Sequence, residues 1–115
     1  MQLECKKYLY DIAKACDRLA EFTAGKTFPD YAGNALLRSG VERQFEVIGE
    51  ALAQLLKRDP SFSERITETR RIIAFRNILI HGYAVVSNDV VWGILESDLP
   101  RLRREVKALL AAEGP

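Results

Sequence analysis

One short segment of the sequence carries most of the side chains that could transfer protons or bind phosphate. Arg76 is followed by Asn77, and the chain's single histidine, His81, comes five residues after the arginine and two before Tyr83. A histidine side chain ordinarily titrates near pH 6.5, so it can accept or donate a proton at cellular pH. Arginine stays charged and binds phosphate oxygens through two parallel N–H groups. Acid–base work on a phosphate is therefore the chemistry that this segment could perform.

The spacing of Arg76 and His81 leaves open how the two residues would act together. Five residues of ideal helix place them about 140° apart around the axis, so they do not share a face. They converge if the helix unwinds near Gly82, or if two chains meet and each supplies one residue. The competing interpretation is structural, because a histidine near a helix C-terminus often just stabilises the helix dipole. A long arginine side chain is often simply solvated.

Acidic residues at helical spacing precede this segment. Glu42, Glu46 and Glu50 occur at every fourth position and form a stripe. The stripe is interpreted as a solvated face; the alternative is that Glu46 or Glu50 pairs with Arg76 and orients it. A single histidine cannot build a multi-histidine or cysteine–histidine zinc site within one chain, so the sequence predicts neither a metal nor a cofactor.

The elements that must position these residues are helices. Apolar residues recur with a period near 3.6 and predict helices over residues 2–23 and about 30–58. Asp30 is expected to cap the second of these, which ends at Asp59-Pro60. Glycines at positions 33, 40 and 49 lie inside it, and they either admit a neighbouring helix or are tolerated defects. Phe45 is interpreted as a core or interface residue rather than as a stacking platform for bases.

Two further helices complete the predicted fold. The third starts near Ser61 or Ser63, because Ser61 and Glu64 have capping-box spacing, and it ends at Gly82. The fourth begins at Ser87 or Asn88 and meets Pro100, which either kinks it or starts a new helix. Trp92 within it is interpreted in the same way as Phe45. The sequence thus predicts an all-α antiparallel bundle of four long helices, with a fifth if Pro100 splits the last.

Length and composition exclude several classes of protein. A chain of 115 residues with 48% hydrophobic residues predicts one folded domain, residues 1–115. The net charge of +1 excludes a protein that coats nucleic acid through bulk charge. No apolar run approaches the length of about 18 residues that a membrane span needs, and no apolar signal core is visible. Cys5 and Cys16 lie too far apart on one helix to pair, and two free thiols predict a cytoplasmic protein.

The motif segment resembles a known family. Arg76-x4-His81-x-Tyr83 is similar to the R-x4-H-x-Y signature of the HepT-like toxins, which belong to the HEPN superfamily of helical bundles. Residues 41–51 resemble the second helix of this family, and residues 89–92 and 98–100 resemble its fourth. The resemblance covers about residues 35–105.

The resemblance implies a function and a set of partners. Members are toxins of type II toxin–antitoxin pairs, described as metal-independent endoribonucleases that act as homodimers with the motif lining a cleft at the two-fold axis. It implies RNA as substrate, Arg76 and His81 as catalytic residues, and Asn77 and Tyr83 in support. The implied antitoxin is a minimal nucleotidyltransferase, which in some pairs adenylylates the motif tyrosine, here Tyr83.

A dimer would also answer two questions that the residues raise: how Arg76 and His81 come together, and how a single histidine per chain can supply both a base and an acid. One histidine cannot be base and acid at once, and a two-fold axis would bring two copies of His81 and of Arg76 to one cleft. The alternative function is a non-catalytic helical partner or substrate-binding module of a nucleotidyltransferase. In that case the motif would serve for docking and modification, and an RNA cleavage assay separates the two functions.

Overall fold

Periodic apolar side chains form four long helices and two short ones in the part of the chain that the structure describes. The computed structural model describes residues 1–82 and 86–113, and in these ranges it contains helices and no strand. The helices are α1 (Leu3–Thr23), α2 (Phe28–Ala32), α3 (Ala35–Arg58), α4 (Phe62–Arg65), α5 (Thr69–His81) and α6 (Asn88–Ala112). The predicted all-α bundle is confirmed.

The helix α3 lies at the centre of the bundle. It packs against α1 on one side and α5 on the other, while α6 packs against α1. The fully buried side chains of α3 include Val41, Ile48 and Leu52. The helix that carries the motif, α5, is therefore an outer helix whose main neighbour is α3.

The predicted second helix is two helices, α2 and α3. Thr27, rather than Asp30, caps α2, and the two residues form a capping box in which the Asp30 carboxylate accepts from Thr27 N at 2.9 Å. Gly33 ends α2, and the Asn34 side chain then accepts from Leu37 N at 3.0 Å to cap α3. The prediction of one continuous helix from about residue 30 was wrong because two strong caps follow each other within eight residues.

The predicted third helix is also interrupted, between Arg65 and Thr69. The Thr67 hydroxyl donates to Glu105 Oε2 at 2.7 Å, which ties the break to α6, and Glu68 takes a left-handed conformation with φ of 60°. The capping box expected at Ser61 does not form, because its hydroxyl donates to Asp59 Oδ1 at 2.6 Å instead. The break makes α5 a helix of 13 residues that starts afresh before the motif.

Pro100 does not split the last helix. It lies inside α6, which continues from Asn88 to Ala112. A proline inside a helix costs about 3 kcal/mol, because it removes one backbone hydrogen bond and crowds the preceding turn. Leu99 and Leu102 are buried on either side of it, and their burial offsets this cost. Of the two outcomes considered at Pro100, a kink or the start of a new helix, the structure therefore excludes the second.

Both cysteines lie inside the bundle on α1. Cys5 is 1% exposed and Cys16 0% exposed, and neither forms a disulfide. Burial raises the pKa of the Cys16 thiol to about 12. Within residues 1–82 and 86–113, none of the helices combines the length and the hydropathy that crossing a membrane requires.

Candidate active site

The two halves of α5 have different surroundings. In its first half, Ile72 and Phe75 are buried, and the Phe75 ring packs edge-on against Phe45 of α3 with centroids 5.2 Å apart. In its second half, Ile78 and Ile80 are 56% and 45% exposed. The first half therefore anchors the helix, while the half that carries Arg76 and His81 has two exposed isoleucines.

Arg76 also contacts α3, next to the packed Phe75. Its Nη2 pairs with the carboxylate of Glu50 on α3, and its Nη1 donates to Asn77 Oδ1 at 2.8 Å. The Arg76 side chain is 22% exposed and that of Glu50 is 49% exposed. The guanidinium is thus held by two acceptors at the surface between the helices, in a fixed orientation.

Gly49, the residue before Glu50, leaves the space in which the Arg76 side chain packs against α3. A Cβ at position 49 would collide with Arg76 Cβ and would lie 2.6 Å from Arg76 Cγ. Because real Cβ atoms do not approach other atoms so closely, the arginine stem can lie here only while residue 49 is glycine. Of the two roles considered for the helical glycines, Gly49 has the close approach, whereas a Cβ at Gly40 would make ordinary contacts no nearer than 3.5 Å.

We expect Gly49→Ala to destabilise the protein even though alanine favours helices. The gain in helix propensity is about 1 kcal/mol, and overpacking against Arg76 costs about 1–3 kcal/mol. Gly93→Ala is the matched control, since a Cβ at this helical glycine meets nothing within 4 Å. Urea unfolding of both proteins checks this: the midpoint should fall for Gly49→Ala and rise for Gly93→Ala. A Gly49→Ala protein as stable as the control would contradict the close contact.

The acidic stripe on α3 is not uniformly solvated. Burial, together with the nearby charge of Glu46, raises the pKa of the Glu42 carboxyl above its usual range. Glu46 pairs with Arg43 Nη1 at 3.7 Å, and its side chain is 28% exposed. Of the two acids considered for orienting Arg76, Glu50 makes the contact and Glu46 has its ion pair with Arg43.

A cavity of about 370 Å³ opens beside Arg76, between α1, α3 and α5. The residues lining it come from all three helices: Tyr8, Asp11, Arg43, Glu46, Val47, Glu50, Ala51, Gln54, Arg76 and Ile80. Sequence reasoning missed the part that α1 contributes, since nothing in the sequence shows that the faces carrying Tyr8 and Gln54 meet across α1 and α3.

His81 lies apart from this cavity. It is the last residue of α5, it is exposed, and it is not among the described residues that line the cavity. The helix stays regular through His81, and Gly82 N donates to Ile78 O at 2.9 Å to close its final turn. Because the helix does not unwind before Gly82, one chain keeps Arg76 and His81 on different faces, about 140° apart.

The remaining candidate residues from the sequence are Tyr83, Trp92 and Phe45. Tyr83, predicted as a supporting and modified residue, lies outside the described residues. Phe45 is 2% exposed and lies in the core, while Trp92 is partly buried and packs against the core, with its ring centroid 5.6 Å from that of Tyr31. Among residues 1–82 and 86–113, no three His, Cys, Asp or Glu side chains are grouped so that they could hold a metal ion.

Comparisons with known proteins agree with the motif. A family model described as "Ribonuclease HepT-like" matches residues 12–109. A Methanocaldococcus jannaschii protein named "Putative RNase" is 31% identical over 106 residues, covering 90% of this chain and 94% of the relative. A Thermococcus cleftensis protein named "Probable ribonuclease HepT" is 32% identical over 112 residues, covering 95% and 98%. No solved structure matches the chain significantly.

Proposed function

This chain belongs to the HepT-like ribonuclease family, and from that premise we propose that it is an endoribonuclease whose active site forms between two copies. The observation that carries the proposal is the course of α5. The helix is regular through His81, so the two motif residues of one chain face different directions. Ile78 and Ile80 of the same half are exposed, and Ile78 lies about 60° from His81 around the helix axis. A second chain that packs on the side of His81 would bury Ile78 and supply the missing partner.

The reaction that these residues can perform is attack of a ribose 2′-OH on the adjacent phosphate. One His81 accepts the 2′-OH proton as the new P–O bond forms. The His81 of the other chain donates a proton to the departing 5′-oxygen, so the products are a 2′,3′-cyclic phosphate and a free 5′-OH. Arg76 forks onto the phosphate oxygens and stabilises the charge of the transition state. Glu50 orients this arginine, and Asn77 holds its second Nη group. No step of this scheme calls on a metal, and we expect cleavage to persist in EDTA.

The sharpest test mixes the unmodified chain with the His81→Ala chain. We expect the chain to be a dimer by mass measurement in dilute solution, and we expect His81→Ala alone to be inactive. A mixed dimer has a single His81, so it lacks either the base or the acid of the proposed reaction. Random exchange in an equal mixture leaves a quarter of the dimers with two copies of His81, so activity should be about a quarter of that of the same total amount of unmodified chain, whereas sites built within single chains would keep half.

The outcomes of the mixing experiment separate the alternatives. A monomer in solution, or half of the unmodified activity in an equal mixture whose subunits exchange, would contradict the shared site. No cleavage of any RNA by the unmodified chain would instead favour a non-catalytic helical partner of a nucleotidyltransferase. The exchange itself is verified by mass spectrometry of the mixture, so a lack of mixing is detected directly.

We further propose that the protein is the toxin of a type II toxin–antitoxin pair and that a minimal nucleotidyltransferase neutralises it. What supports this is family membership together with the motif residues Arg76, His81 and Tyr83 in the sequence. AMP on Tyr83 would add a phosphate and an adenine two residues along the chain from His81.

For control by the antitoxin, we expect AMP to be added to Tyr83. The measurement is intact mass and peptide mapping after incubation with the cognate nucleotidyltransferase, ATP and magnesium. The Tyr83→Phe chain is the control, and it should gain no mass. Mass added to another residue would contradict the proposal, and neutralisation without any added mass would mean that the antitoxin blocks the cleft by binding over it.

A further inference from the structure

The cavity beside Arg76 is lined by residues that the proposed cleavage reaction does not use. Val47, Ala51 and Ile80 give it apolar walls, and Tyr8 gives it an aromatic side chain. Its volume of about 370 Å³ is in the range of small-molecule sites. Apolar walls and an aromatic ring suit a flat, uncharged group that can stack.

The charges around the cavity exclude a phosphate group from its interior. Asp11, Glu46 and Glu50 contribute three carboxylates, against the two cations of Arg43 and Arg76. A phosphate entering the cavity would meet a net negative lining, whereas N–H groups would find acceptors. The group that fits is therefore neutral and planar, and it carries N–H donors on its edge.

We infer that this cavity binds a nucleobase of the RNA substrate and selects guanine. The inference rests on the proposed function, because Arg76 both lines the cavity and binds the phosphate in the proposed reaction. When Arg76 binds a phosphate of an RNA strand, the base of the adjoining nucleotide can reach the cavity. Unstacked bases that are turned out of a strand are commonly read by hydrogen bonds to their edges and by stacking.

Glu46 is the residue that distinguishes guanine from the other bases. The Glu50 carboxylate is bound by Arg76, and Asp11 pairs with Lys7 at 3.4 Å, while the contact of Glu46 with Arg43 is long, at 3.7 Å. The two oxygens of a carboxylate match the adjacent N1–H and N2–H donors of guanine. Uracil instead presents one N–H between two carbonyl oxygens, and adenine and cytosine present an amino group beside a ring acceptor.

The test compares cleavage of short RNAs that differ at a single base. We expect the unmodified chain to prefer guanine by about tenfold or more in kcat/KM, the value of one good bidentate contact. Glu46→Gln should lose this preference, because its amide has one acceptor oxygen and cannot accept from both N–H groups. Glu42→Gln is the matched control, since Glu42 lies one turn earlier on α3 and is not among the lining residues.

A binding measurement keeps this inference separate from the proposed function. Guanosine should shift the NMR signals of Tyr8 and Gln54, and adenosine, cytidine and uridine should shift them less. Guanosine binding without cleavage of any RNA would support the cavity and overturn the proposed ribonuclease. Cleavage with no base preference, with a preference that survives in Glu46→Gln, or with equal binding of all four nucleosides would overturn the inference and leave the ribonuclease standing.

Discussion

The His81→Ala protein should fold normally and cleave RNA about 10²–10⁴-fold more slowly than the unmodified chain, the usual value of a general acid or base. His81 is the chain's only histidine, so no other imidazole can take its place. It is exposed and is the last residue of α5, so its removal takes no contact from the core. The loss should therefore appear in kcat, with circular dichroism and the midpoint of unfolding unchanged.

Arg70→Ala is the control for His81→Ala. Arg70 is also exposed on α5, but it lies in the first turn, at the opposite end from the motif. Its removal should leave cleavage within a few-fold of the unmodified rate. If the folded His81→Ala protein cleaved RNA at the unmodified rate, the proposed reaction would have lost its proton carrier and could not stand.

Arg76→Lys should lower kcat by about 10²–10³-fold although it keeps the positive charge. The two Nη groups of Arg76 bind different acceptors, Glu50 and Asn77, so the side chain is held before substrate arrives. A lysine has one nitrogen on a flexible stem, so it lacks the planar fork that can be held by two acceptors and still bind a phosphate through two parallel N–H groups. Removing one preorganised donor to a developing charge typically costs this much.

The matched control for this change is Arg43→Lys. Arg43 lines the same cavity, but its side chain is 70% exposed and its contact with Glu46 is long. This substitution should alter the rate of cleavage little, so Arg43→Lys should cleave RNA much faster than Arg76→Lys. Equal rates for Arg76→Lys and the unmodified chain would show that charge alone suffices, which would contradict a bidentate role at the phosphate.

The helices could be predicted from the sequence where apolar periodicity is long and unbroken. The face of α1 and the buried residues of α3 follow the period that the sequence shows. The break between α4 and α5 could not be predicted, because a contact between residues 38 positions apart, Thr67 and Glu105, supports it. Pro100 on its own indicates a kink or a new helix, but the burial of Leu99 and Leu102 outweighs the cost of keeping the proline inside one helix.

The site could be predicted only in part for the same reason. The motif on α5 is continuous in sequence, so its residue types were visible, and Glu50 was one of two acids considered for Arg76. Gly49 was left undecided, because a glycine in a helix looks the same whether a neighbour touches it or not. The contributions of Tyr8 and Asp11 depend on how α1 packs against α3, and this pairing is a property of the folded chain.

The burial of Cys5 and Cys16 makes the native chain a ready background for site-directed labelling. A thiol that is 1% exposed or less, as both are, is shielded from maleimide reagents, and Cys16 in addition stays protonated at neutral pH. A single cysteine introduced on the exposed surface of α6 would therefore take a spin label alone, with both native cysteines retained. Pulsed electron resonance between two labelled chains would then measure the separation of the copies directly, without a crystal.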